Sequence, residues 1–228
     1  LEFSGWYLAP LMPRRVRAAA SLICLASQSS ITTLRLFQAS WHLNRPTFSL
    51  IFLLLDVSKN PAFIRRILMR TILINLARQQ LDLCDEGRLL SRWSVSTGAN
   101  GAGELIGSFK TPRGEHQVRA KIGAGMPLNS VFVGRRPTGE IWSPELDLAF
   151  PKRDWILTRI LWLSGTEPGF NRWGTVDTMR RYIYIHGSPD RVAMGTPGSI
   201  GCVRMRNTEL AELFDEVGPG TSVRIIER

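Results

Sequence analysis

From Arg70 onward, glycine, proline or asparagine interrupts the chain every few residues, and nothing constrains its fold more than that spacing. Twenty glycines and thirteen prolines in 228 residues favour short strands joined by turns over a bundle of long helices. Alternating or β-branched runs fall between the breaks. Strands are predicted at 71–76, 80–84, 89–95, 115–120, 131–134, 155–161, 182–186 and 222–227, with Asp85-Glu86-Gly87 as a hairpin turn. One helix is signalled, over 207–217. Asn207 or Thr208 can cap it, Glu209 and Glu212 suit its positive end, and Leu210, Leu213, Phe214 and Val217 recur at helical spacing before Gly218-Pro219. The expectation is a mostly-β domain over 69–228 with one C-terminal helix, a length that buries roughly 70% of its unfolded surface without disulfides.

Residues 1–68 read differently. They hold 8 Lys+Arg against 2 Asp+Glu, so most of the formal net charge of +10 lies there. Serines, arginines and short apolar runs follow one another without a sustained period. Met12-Pro13-Arg14-Arg15-Val16-Arg17 followed by 18–26 has the basic and apolar parts of an export signal, and Leu1-Glu2-Phe3 resembles an expression or read-through scar. Two readings stand: an irregular basic extension carrying a signal, or a segment outside the working protein, with the natural start near Met69. No run reaches the ~18–20 apolar residues of a membrane span. The high isoelectric point admits a binder of nucleic acid or anionic polymer. With most of the excess charge in 1–68 and only +4 left in 69–228, no nucleic-acid partner is expected of the domain.

The chemistry-bearing residues cluster late. Tyr182-Ile183-Tyr184-Ile185-His186-Gly187 alternates, placing Tyr182, Tyr184 and His186 on one face and the isoleucines on the other. Cys202 follows Gly201, whose missing side chain lets a substrate approach the sulfur, and in an extended chain Cys202 and Arg204 share a face. A thiol nucleophile needs a base, an orienting group for that base, and N–H donors for the oxyanion. His186 suits the first role, a carbonyl or hydroxyl around Gly198-Ser199 the second, and the amides of Gly201-Cys202 the third. Arg204 suits a substrate carboxylate, or a thiolate with a pKa below the free-thiol value of ~8.5.

His186-Gly187 and, after a gap, Ser199-Ile200-Gly201-Cys202-Val203-Arg204-Met205 resemble the signature of the YkuD-type L,D-transpeptidases, His-Gly followed by Ser-His-Gly-Cys-Ile-Arg-Met. The likeness extends to Ser96-Thr97-Gly98, Lys110-Thr111-Pro112-Arg113-Gly114 and the 159–163 run. It implies a β-sandwich or barrel-like catalytic domain with Cys202 as nucleophile, His186 as base, Ser199 orienting the base through its carbonyl, and Gly201 shaping the oxyanion hole. Arg204, Tyr184 and Gly187 are implied on the substrate side. The implied partners are peptidoglycan stem peptides, with an acyl-enzyme formed on a tetrapeptide, D-Ala released and a 3→3 cross-link or a lipoprotein linkage made. An L,D-carboxypeptidase differs only in using water as acceptor. Such a substrate implies the periplasm or cell envelope, whereas a start at Met69 without an export signal implies the cytoplasm. Ile200 replaces the signature's His and can do no acid–base work.

Other motifs are weaker. Gly101-Ala102-Gly103-Glu104-Leu105-Ile106-Gly107 has its third glycine one residue late for a dinucleotide loop. Pro197 occupies the first glycine of a nucleophile elbow around Ser199. Three histidines without metal-like spacing predict no zinc site and no cofactor. Cys24, Cys84 and Cys202 are odd in number and widely spaced, so at least one is a free thiol or pairs between molecules. His116 is expected to be a strand residue, and the five tryptophans after Met69 core and cleft wall.

Overall fold

Two hairpins begin the folded domain. The computed structural model describes residues 69–228; the possible signal, Cys24 and His42 lie outside that range. Strands β1 (Arg70–Asn75) and β2 (Gln80–Asp85) pair antiparallel and turn Ile72, Ile74, Leu81 and Leu83 inward at every second position. The turn between them holds Gln79 in the left-handed region, with its side chain bonded to Leu76 O (2.6 Å) and Thr97 Oγ1 (2.7 Å). Glu86 and Gly87 both take positive φ, the backbone of a tight two-residue turn, and lead into β3 (Arg88–Ser94).

The remaining strands are β4 (Gly114–Ile122), β5 (Ser130–Val133), β6 (Arg136–Ile141), β7 (Ile156–Gly165), β8 (Tyr184–Gly187), β9 (Val203–Met205) and β10 (Ser222–Ile226). They form one ten-stranded sheet in the order β3-β2-β1-β10-β4-β7-β5-β6, with β8 added to β7, and β9 added parallel to β8. The ten-residue β7 is the branch point. Its two halves pair with β4 and β5, while residues 157–162 also pair with β8.

The expected strands are present with shifted ends. β7 runs to Gly165 rather than 161, and β8 starts at Tyr184 because Tyr182 takes φ 56° and leaves the extended region. Four elements were not expected: β6, β9, a short 3₁₀ helix at Gly174–Val176, and a six-residue helix α1 (Pro144–Ala149) capped by Ser143, whose Oγ accepts from Leu146 N.

The C-terminal helix α2 spans Asn207–Glu216. Its cap differs from expectation. Arg206 occupies the N-cap position without a side-chain bond, and Asn207 is tied elsewhere, accepting from Thr158 Oγ1 (2.7 Å) and donating to Ser188 O (3.0 Å). At the other end, Lys121 on β4 donates to the carbonyls of Phe214 and Val217 (2.8 Å to the latter), supplying the cation that the helix's last turn lacks. Leu210, Leu213, Phe214 and Val217 pack with Ile72, Ile74, Leu161, Ile185, Val203 and Ile225 in the main core. A smaller cluster of Phe132, Ile160 and Tyr184 lies apart from it, and Cys202 packs against this one.

His116 is buried in β4, with Nδ1 bonded to Gly114 O (3.0 Å) and Nε2 to Thr178 Oγ1 (3.1 Å). Burial lowers its pKa to about 4, against the favourable pull of Gly114 O and Glu167. The unfolded chain takes up this proton first, near the ordinary value of about 6.5. The stability is therefore complete above that pH and is lost as the pH falls toward 4. His116 should contribute on the order of 2 kcal/mol to the stability lost between pH 7 and pH 5, so urea unfolding of His116→Gln should show a loss smaller than the native chain's by that amount.

Candidate active site

Strands β8 and β9 pair in parallel with Ile185 opposite Val203 and His186 opposite Arg204. Because Ile185 and Val203 both enter the main core, the alternate residues Tyr184, His186, Cys202 and Arg204 lie on the other face. Cys202 precedes β9 by one residue, and its sulfur accepts from Tyr184 N (3.4 Å) and donates to Tyr182 O (3.5 Å). His186 is buried, and its Nδ1 lies 2.8 Å from Gly187 O. That contact calls for the proton on Nδ1 and leaves the Nε2 lone pair unprotonated.

The polypeptide around Cys202 is clamped from two sides. Ser96 exchanges backbone bonds with Arg204 (3.0 and 2.8 Å), Thr97 O accepts from Gly198 N and Ser199 N, and Ser199 O accepts from Ala99 N. Thr111 Oγ1 donates to Gly201 O (2.9 Å) and accepts from Gly98 N (2.8 Å). Gly201 has φ 124°, and a Cβ there would lie 3.1 Å from Lys110 O and 3.3 Å from Ile183 Cδ1. Both the turn and the close approach therefore require glycine.

Several expected contacts are made by other groups. The carbonyl holding the His186 ring is that of Gly187, since Ser199 O is taken by Ala99 N. Ser199 instead ties the loop, its Oγ donating to Cys202 O (2.5 Å) and accepting from Gly201 N (3.1 Å). The Gly201 amide, expected to face an oxyanion, is thus already occupied by the Ser199 hydroxyl.

The three residues expected to meet substrate are also engaged. The Tyr184 hydroxyl accepts from Arg135 Nη1 (2.9 Å), so the group that it presents is the Arg135 guanidinium, stacked over Trp162 (4.6 Å) and Tyr182 (4.8 Å). Gly187 is buried against Asn207 Oδ1 and the Leu157 carbonyl, which a side chain would strike. Arg204 bonds Asp154 (2.6 Å) and Gly198 O (2.9 Å). Ile200 is 57% exposed and lines a cavity of about 250 Å³ with Asp154, Arg191 and Arg204.

Sequence reasoning missed Asp154, Arg135 and Arg181. The last donates to the carbonyls of Gly103 (3.0 Å), Glu104 (2.8 Å) and Lys110 and so holds their loop beside the site. Only Arg181 carried a signal, in its place just before the 182–186 run.

The electrostatics overturn one expectation. Burial pushes the Cys202 thiol up to about 12; Asp154 adds to the rise, and the Tyr184 amide, Arg204 and Arg181 oppose it. Burial likewise holds His186 below its ordinary value, against Asp154 and Gly187 O, while Arg204 adds to the lowering. The resting pair is a neutral thiol and a neutral imidazole, and not the thiolate that the sequence suggested, because burial raises the thiol pKa by more than Arg204 and Arg181 lower it.

The family model for the L,D-transpeptidase catalytic domain, YkuD, matches residues 69–225, and the chain belongs to that family. A curated relative, "Probable L,D-transpeptidase ErfK/SrfK" of Salmonella typhimurium, is 33% identical over 116 residues, covering 47% of this chain and 35% of that protein. The chain thus spans about a third of the length of that relative. Solved structures similar to it include an L,D-transpeptidase from Mycobacterium smegmatis (20% identity, TM-score 0.41, 69% of this chain and 58% of that one). Another is L,D-transpeptidase 3 from Mycobacterium tuberculosis (14% identity, TM-score 0.43, 70% and 61%).

Asp154 raises the thiol pKa and is the carboxylate that neutralises Arg204. Asp154→Asn removes the first effect and frees the cation, and both changes favour thiolate. Iodoacetamide labelling of Cys202, followed by mass spectrometry of its peptide to separate it from Cys24 and Cys84, should accelerate about 3-fold at pH 8 in this variant. In the native chain the rate should climb through pH 10 without a plateau. A slower or unchanged variant would show that Asp154 does not act on the sulfur.

Proposed function

We propose that the chain is a cysteine-dependent L,D-transpeptidase. It forms 3→3 peptidoglycan cross-links, or attaches a lipoprotein, through an acyl-enzyme on a tetrapeptide stem with release of D-Ala. The observation that carries this reading is the placement of Cys202 and His186 on one face of β8–β9, with Nδ1 of the ring anchored on Gly187 O. Residues 69–228 are the catalytic domain.

In the first half-reaction the thiol turns from Tyr182 O, and its proton passes to His186 Nε2 as sulfur bonds the carbonyl carbon at the L-centre of the third stem residue. Starting from a neutral pair, this transfer happens with the attack rather than before it. The Cys202 amide receives the oxyanion, a donor typically worth about 3–4 kcal/mol of barrier. The C–N bond then breaks, the imidazolium proton moves to the departing D-Ala amine, and a thioester remains. In the second half-reaction an acceptor amine attacks the thioester, gives a proton to Nε2, and releases the thiol. Arg204, paired with Asp154 and bound to Gly198 O, positions the loop that carries the nucleophile. Arg135 brings unused donors to the cleft beside Tyr184, suited to a carboxylate of the donor stem. A wall substrate places the enzyme in the cell envelope.

Incubation with disaccharide-tetrapeptides should yield D-Ala and 3→3 dimers by mass spectrometry. Cys202→Ala should lower both by at least about 10³-fold. Activity surviving that substitution would remove Cys202 as the nucleophile. Tripeptide accumulating in place of dimer would make water the acceptor.

A further inference from the structure

A second concentration of positive charge lies apart from the thiol. Arg119, Arg172 and Arg180 line one cavity of about 240 Å³, together with Trp173 and Asp177. Arg119 is the extra residue where the β4–β7 register slips between Val118 and Ala120, an irregularity that re-aims a side chain. Among the described residues none of the three guanidinium groups is in an ion pair. Asp177 is the one carboxylate in the lining, and its two oxygens face backbone, accepting from Trp173 N (2.8 Å) and Arg180 N (3.0 Å). Among the described residues the cavity lining therefore carries three arginines against one carboxylate, with no guanidinium–carboxylate pair in it.

The wall is built rather than loose. The segment carrying Arg172 and Trp173 is fastened through Asn171, whose Nδ2 donates to Arg113 O (3.0 Å) and Glu115 O (3.1 Å) and whose carbonyl accepts from Thr178. Trp173 takes φ 71°, unusual for a bulky residue, and is 60% exposed with Arg172 stacked at 5.4 Å. Such an arrangement of preset cations around an aromatic surface suits bidentate capture of carboxylates.

The cavity also connects to the thiol. Arg119 lies 5.5 Å over Trp162. The ring of Trp162 is 6.3 Å from both Tyr182 and Tyr184, which bond the Cys202 sulfur through their backbone. We propose that this cavity is a binding subsite for the carboxylates of a peptidoglycan stem peptide whose chain continues over Trp162 to Cys202. The choice of a stem peptide rests on the transpeptidase reading, whereas the preference for a carboxylate rests on the unpaired arginines.

The test titrates the full chain carrying Cys202→Ala, so that no turnover intervenes, and follows tryptophan fluorescence and calorimetric heat. Three probes are used: a disaccharide-tetrapeptide with free carboxylates, the same compound amidated, and inorganic phosphate. The free form should bind at least about 10-fold more tightly than the amidated one. Adding Arg172→Gln with Arg180→Gln should bring the free form down to the amidated level. Arg78→Gln, an exposed arginine at the β1–β2 turn, should change nothing, which separates the site from net charge. Equal binding of the two peptides, or undiminished binding by the double variant with an unfolding midpoint matching its parent, overturns the proposal. Displacement of the peptide by equimolar phosphate overturns it in favour of a phosphate-bearing ligand. Carboxylate-dependent binding to the Cys202→Ala chain, together with no D-Ala release by the chain that keeps Cys202, would refute the reaction and leave the subsite standing.

Discussion

Parallel pairing between β8 and β9 couples two segments that fifteen residues separate in the sequence, and the site follows from its register. Ile185 opposite Val203 commits one face of the pair to the core, so the period of two leaves His186 and Cys202 together on the other. A slip of β9 by one residue would turn Cys202 toward the core and expose Val203. The clamp of Ser96, Thr97 and Thr111 on the loop before β9 protects that register, and the left-handed Gly201 lets the chain turn beneath it.

Burial sets the protonation states. The same packing that places Cys202 against Phe132, Ile160 and Tyr184 withdraws water from the sulfur. Nearby positive charge does not compensate, since Arg204 faces Asp154 and Arg181 is spent on loop carbonyls. The pair thus stores a proton on sulfur and an open lone pair on nitrogen, an arrangement suited to transferring the proton during attack.

How much was legible depended on whether a feature was local. Alternation in β1 and β2, the Glu86-Gly87 turn and the apolar stripe of the C-terminal helix are properties of adjacent residues, and the chain writes them plainly. The His186-Gly187 and Ser199–Met205 spacing identified the family for the same reason. β6 was hidden because Arg136-Pro137-Thr138-Gly139 carries no alternation and becomes a strand only by pairing with β5. Asn207 reads as a cap, but it lies within reach of Thr158 and Ser188 once the sheet forms. Asp154 meets Arg204 across fifty residues, and the pairing that cancels a useful cation cannot be seen from spacing.

The attachment of Lys121 to the end of the C-terminal helix bears on how the chain acquires its structure. Ten residues are too few for a helix to hold in water on its own, and here the terminal carbonyls are met by a lysine more than ninety positions earlier. Helix and sheet must therefore mature together, through contacts that close a long stretch of chain. Local order cannot run ahead of global topology, and the domain belongs among those whose folding is slow relative to helical proteins of the same size.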